Sequence, residues 1–88
     1  MPKFERSVKV SCKQGLHARP AAMFVQIANK YDSQVAVRKG AEEINGKSIM
    51  GILMLGADHN AEIVISVDGS DAELALKELE AFIAKEDT

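Results

Sequence analysis

With 88 residues, 47% of them apolar, and a net charge of −2, the chain has the size and composition of one folded domain, with little room for a second core. The charge balance argues against a nucleic-acid-coating protein, and the four aromatic residues, Phe4, Phe24, Tyr31 and Phe82, are not interleaved with basic ones as a base-stacking platform requires. No apolar run approaches the ~20 residues of a membrane span, and the one cysteine, Cys12, excludes an internal disulfide and a thiolate metal cluster, so a cytoplasmic protein without metal, cofactor or membrane insertion is expected.

Met1-Pro2-Lys3 runs straight into strand-like sequence and does not read as a signal peptide. From Phe4 to Cys12, the residues Val8, Val10 and Cys12 alternate with polar ones, the period of a half-buried strand, and Cys12 reads as a buried structural thiol. Pro20 to Tyr31 places Ala21, Phe24, Val25, Ala28 and Tyr31 at helical spacing, with Met23 and Gln26 off that face. Gln34 to Arg38 and Glu43 to Asn45 form a hairpin around Lys39-Gly40. Ser48 is expected to cap a short, apolar helix through Ile49, Ile52 and Leu53, with Gly56 as its stop. Ala61 to Val67 presents Ile63, Ile65 and Val67 on one strand face before the Asp68-Gly69 turn. Ser70-Asp71-Ala72-Glu73 has the capping-box pattern and opens a last helix whose stripe is Ala72, Ala75, Leu76, Leu79, Phe82 and Ile83. The order predicts an α+β open-faced sandwich: a four-stranded, largely antiparallel sheet covered on one face by two long helices and one short one, in a single domain over residues 1–88.

The chemistry concentrates in Gly15-Leu16-His17-Ala18-Arg19-Pro20, where the first strand gives way to the first helix. The unpaired amides and positive end of a helix attract anions, and a proline near the start costs no hydrogen bond there. A histidine ordinarily titrates near ~6.5, so a neutral ring with a nitrogen lone pair is available to attack phosphorus at neutral pH. Arg19 adds a permanent charge and planar donors for phosphoryl oxygens, the Gly15 and Ala18 backbone is expected to support the phosphate, and Gly15 removes bulk where a partner approaches. These parts suit phosphoryl transfer, which depends on positioning and charge stabilisation. Spacing alone leaves open that His17 is only a capping or surface residue.

Gly15-Leu16-His17-Ala18-Arg19-Pro20-Ala21 together with Asn45-Gly46-Lys47-Ser48-Ile49-Met50-Gly51 closely resembles the histidine-containing phosphocarrier protein HPr of the bacterial phosphoenolpyruvate-dependent sugar phosphotransferase system. The resemblance covers essentially the whole chain. It implies that His17 accepts phosphate from enzyme I on the ring nitrogen nearer the backbone and passes it to the IIA domains of sugar permeases, a relay rather than stand-alone catalysis. It also implies that Ser48 is a second, regulatory phosphorylation site for HPr kinase/phosphorylase, tied to carbon catabolite regulation through a regulatory protein. Leu16, Ile49, Met50 and Leu53 are, by the same analogy, a docking patch beside His17. Many family members carry basic residues on the first helix where this chain has Gln26 and Asn29, with Lys30 and Lys47 as partial substitutes, which bears on electrostatic steering. Transient exchange between partners favours a monomer.

Other readings carry less. Ala41-Glu42-Glu43-Ile44-Asn45-Gly46-Lys47-Ser48 matches a relaxed phosphate-loop pattern but lacks the first glycine and carries two glutamates. His59 stands in a polar turn, Asp58-His59-Asn60, without a second ligand at metal spacing, and reads as a solvated loop residue. A nitrogen-branch carrier, or a purely regulatory relative acting through the Ser48 face, stays as an alternative. His17 counts against the latter, because relatives of that kind can dispense with the histidine.

Overall fold

The computed structural model describes residues 2–85, so Met1 and residues 86–88 of the expected domain lie outside the described residues. Strands β1 (Lys3–Lys9), β2 (Gln34–Lys39), β3 (Glu42–Asn45) and β4 (Glu62–Asp68) form one sheet in the order β1-β4-β2-β3. Every neighbouring pair is antiparallel. Helices α1 (Ala18–Ala28), α2 (Ile49–Leu55) and α3 (Ala72–Ala84) complete the fold, and the expected open-faced sandwich is the architecture found.

Strand alternation places Val8, Val35, Val37, Ile63, Ile65 and Val67 on the helix-covered face, where all six are buried. The register Val8↔Ile63, Val37↔Ile65 and Val35↔Val67 puts these apolar residues side by side across the sheet. Phe24 and Ala28 of α1, Ile52 and Leu55 of α2 and Leu79 and Ile83 of α3 close over them. Each fully buried aliphatic side chain stabilises such a core by roughly 1.5–3 kcal/mol. At the sheet edge the same face of β1 holds Arg6, which reaches Glu80 of α3 at 3.6 Å.

The first strand ends at Lys9 rather than Cys12, yet the burial alternation continues through Val10 and Cys12. Beyond the ladder, Val10 N–H donates to Ala61 O (2.9 Å) and Asn60 N–H to Val10 O (2.8 Å), so the segment after β1 stays joined to the one before β4. The first helix spans Ala18–Ala28 rather than Pro20 to Tyr31. Lys30 and Tyr31 donate three residues back, to Ile27 and Ala28, closing the helix in tight turns.

The capping box expected at Ser70 does not form. Asp71 is the N-cap of α3, and its side chain makes no cap bond. Its carboxylate instead accepts from the Asp32 amide (2.9 Å), the Ser33 amide (3.0 Å) and the Ser33 hydroxyl, fastening the α1–β2 loop to the start of α3. These donors hold the Asp71 carboxyl below the usual carboxylate range, the Ser33 hydroxyl contributing most. A cross-loop acceptor set outcompetes the local capping pattern here.

Candidate functional site

His17 is the N-cap of α1, in extended conformation (φ −125°, ψ 160°), with its side chain 40% exposed. Its ring Nε2 lies 2.9 Å from Asp58 Oδ1. A carboxylate can only accept, so Nε2–H donates to Asp58. This hydrogen bond is the main cause holding the Asp58 carboxyl below its ordinary range, with the charges of His17 and Lys39 adding to it. Nδ1 makes no hydrogen bond among the described residues.

The helix start in front of the ring carries no acidic residue in its first turn and no side-chain cap. Its amides are therefore free for an incoming anion. Ala18 holds φ +49°, a left-handed conformation costing a residue with a Cβ about 1–2 kcal/mol, so the surroundings impose this turn. Arg19 is exposed and makes no ion pair among the described residues. The arrangement can offer a ring nitrogen, backbone donors and an exposed guanidinium to one phosphoryl group.

Gly15 departs from its expected role. It is buried at φ +75°, and a Cβ there would lie 2.6 Å from Ala57 O and 2.8 Å from Asp58 Cα. The close approach it permits is to the chain's own α2–β4 loop, not to a partner. Leu16 is likewise corrected: it is 0% exposed, a core residue, and cannot dock. Its amide donates to Ala57 O at 2.8 Å, a second tie between the two loops. His59, expected to be only a solvated loop residue, brings its ring Nδ1 to 3.1 Å from Cys12 O and so adds a third.

Ser48 caps α2 as expected, its Oγ accepting from the Gly51 amide at 3.1 Å, and Gly56 ends that helix at φ +65°. Ile49, Met50 and Leu53 are exposed, Met50 at 62%. Met54 at 69% and Met23 at 42% were absent from the expected patch. Both had signals in the sequence, Met54 standing four residues beyond Met50 and Met23 off the core face of α1, which packs on α2. Lys30 and Lys47 are less free than expected, because Lys30 pairs with Glu78 (2.7 Å) and Lys47 donates to Tyr31 O (2.6 Å). Glu42–Asn45 is strand β3, so the phosphate-loop pattern has no cradle. A shallow concavity of about 540 Å³ lies on the sheet, lined by Lys3, Asn45, Ser66 and Asp68, away from His17. Among the described residues no cluster could hold a metal, and no helix is long and apolar enough to cross a membrane.

A small sandwich that presents one histidine on an uncapped helix start, beside an exposed methionine-rich helix, has the parts of a phosphocarrier-type protein. Residues 4–85 match the family described as PTS HPr component phosphorylation site. The chain belongs to this HPr family. It is 43% identical to the HPr-like protein Crh of Halalkalibacterium halodurans over 82 residues, 93% of this chain and 98% of that one. Phosphocarrier protein HPr from Bacillus anthracis superposes with a TM-score of 0.90 at 44% identity, covering 92% of this chain and 96% of that one. Crh of Bacillus subtilis, described as a catabolite repression protein crystallised as a swapped dimer, gives a TM-score of 0.77 at 41% identity over 92% and 93% of the two chains.

Proposed function

We propose that this protein is a cytoplasmic phosphoryl relay: Nδ1 of His17 accepts a phosphoryl group from phosphorylated enzyme I and donates it to the IIA domains of sugar permeases. The observation that carries this reading is the ring itself, exposed, engaged through Nε2 and open at Nδ1 before an acid-free helix start. Attack by the Nδ1 lone pair forms the N–P bond as the bond from phosphorus to the donor breaks and returns its electron pair to the donor. Arg19 and the first amides of α1 supply countercharge to the phosphoryl oxygens. The exposed Ile49, Met50 and Leu53, with Met54 and Met23, form the docking surface, and methionines suit a face that serves several partners.

Intact-mass analysis of the protein with phosphoenolpyruvate, magnesium and catalytic enzyme I tests the proposal. One acid-labile phosphoryl group is expected on the wild type and none on His17→Ala. No label in the presence of a compatible enzyme I would overturn it and turn the assignment to the nitrogen branch or to a purely regulatory relative.

A regulatory role is supported by a separate observation. Ser48 is only partly buried at the N-cap of the exposed helix, and the relatives include proteins named Crh. Phosphorylation there by an HPr kinase/phosphorylase would place about −1.5 to −2 charges in the docking surface. It is expected to change partner affinity without unfolding the domain, and unchanged affinity of phospho-Ser48 protein for enzyme I would refute this.

A further inference from the structure

Asp58 was not distinguished by any pattern in the sequence, and its carboxylate is 81% exposed. It nevertheless meets Nε2 of His17 at 2.9 Å across 41 positions of chain. The backbone beneath the pair is tied at several points: Leu16 N–H to Ala57 O (2.8 Å), Asn60 N–H to Val10 O (2.8 Å), the His59 ring to Cys12 O (3.1 Å), and the bare Cα of Gly15 against Ala57 and Asp58. On the other side, Lys39 donates to Gly56 O (3.0 Å), two residues before Asp58. An exposed carboxylate on an untied loop would meet a histidine ring only transiently. Here both backbones are fixed, so little conformational freedom is lost when the side chains join.

We propose that Asp58 is a positioning residue for phosphoryl transfer, which keeps the proton on Nε2 of His17 and thereby makes Nδ1 the nucleophile. This role rests on the relay reading above. In the neutral ring one nitrogen carries the proton and the other the lone pair, so an acceptor at Nε2 assigns the lone pair to Nδ1. The bond also fixes the ring plane against the α1 start. As Nδ1 forms its bond to phosphorus and the donor leaves with its electron pair, the Nε2 proton stays in place. The ring becomes a cation facing the Asp58 carboxylate, whose charge offsets it. No proton leaves the ring, and no additional base is needed.

The experiment compares wild type, Asp58→Ala and Asp58→Asn by nitrogen-15 spectroscopy of His17 and by the rate of phosphorylation from enzyme I. In wild type the neutral ring is expected to carry its proton on Nε2. In Asp58→Ala the Nδ1-protonated tautomer is expected to rise and kcat to fall about fivefold, a modest effect because an exposed charge pair is screened. KM is expected to hold, since Asp58 lies outside the docking surface. Asp58→Asn keeps an acceptor without the charge, so it should restore the tautomer more than the rate. Wild-type tautomer and wild-type rate in Asp58→Ala would overturn the proposal. A merely structural role would show as a lowered melting temperature with the tautomer unchanged, and would overturn it too. If wild-type His17 accepts no phosphate, the relay reading fails, while the nitrogen-15 spectra still decide whether Asp58 governs the ring.

Discussion

Replacing Gly15 by alanine tests the architecture under the site. The substitution carries two separable costs. The first is conformational: φ +75° is left-handed, and a Cβ there costs about 1–2 kcal/mol. The second is steric. The new Cβ would stand 2.6 Å from Ala57 O and 2.8 Å from Asp58 Cα, and backbone cannot swing aside as the tip of a flexible side chain can. Overpacking of this kind costs about 1–3 kcal/mol, and stretching the 2.8 Å bond from Leu16 N–H to Ala57 O adds about 1 kcal/mol. The expected total is about 3–6 kcal/mol. Unfolding entropy scaled to a chain of this length converts each kcal/mol into roughly 5 °C, so Tm should fall by about 15–30 °C. Gly40→Ala is the control. Gly40 has a similar φ of +60°, but its Cβ would meet nothing within 4 Å, so only the conformational cost applies and Tm should fall by about 5–10 °C. Thermal unfolding followed by circular dichroism separates the two. A Gly15→Ala protein no less stable than Gly40→Ala would show that the loops are not in fixed contact and would refute the reasoning.

Ser48→Ala removes the hydroxyl that accepts from Gly51 and should lower Tm by about 5 °C, corresponding to the ~1 kcal/mol usual for a lost N-cap; an unchanged Tm would show that the cap is not contributing. Met50→Asp should weaken binding to enzyme I about tenfold or more, as titration calorimetry would report, while Tm moves little because Met50 is 62% exposed; a large fall in Tm would make it a core residue. Asp71→Asn addresses acid stability. The folded-state pKa of Asp71 lies below its unfolded value, so its contribution is present above the ordinary carboxylate range and is lost as pH falls through the depressed value. The Tm advantage of wild type over Asp71→Asn should therefore be constant near neutrality and close below about pH 4, whereas parallel curves down to pH 2 would refute the assignment.

The long helices and the central strands were legible because each buries one periodic face. Ile63, Ile65 and Val67 announce β4, and Ala72, Ala75, Leu76, Leu79 and Ile83 announce α3, without reference to the rest of the chain. What was not legible depends on contacts between distant segments. Leu16 is an apolar residue beside His17, and local sequence cannot tell whether it faces a partner or the core; packing puts it at 0% exposure. Ser70 and Glu73 carry the letters of a capping box, but Asp71 is recruited by Asp32 and Ser33, 39 and 38 positions away in sequence. Asp58 is one acidic residue among several in polar turns. Its contact with His17 follows from loop geometry that no window of sequence contains. His17, Arg19 and Ser48, by contrast, lie at helix starts, where local rules decide placement.

The ties that run from Val10 and Leu16 to the 57–61 loop extend the pairing of β1 with β4. Assembly of the histidine and its carboxylate is therefore a readout of long-range order, complete only once the first strand has zipped onto the last. A nascent or heat-damaged chain would still carry the Gly15–Pro20 sequence but would hold neither the ring's orientation nor its carboxylate partner. Contacts of such sequence separation are entropically costly to close, so the His17–Asp58 pair reports on completion of the whole β1–β4 edge rather than on the sequence around the histidine.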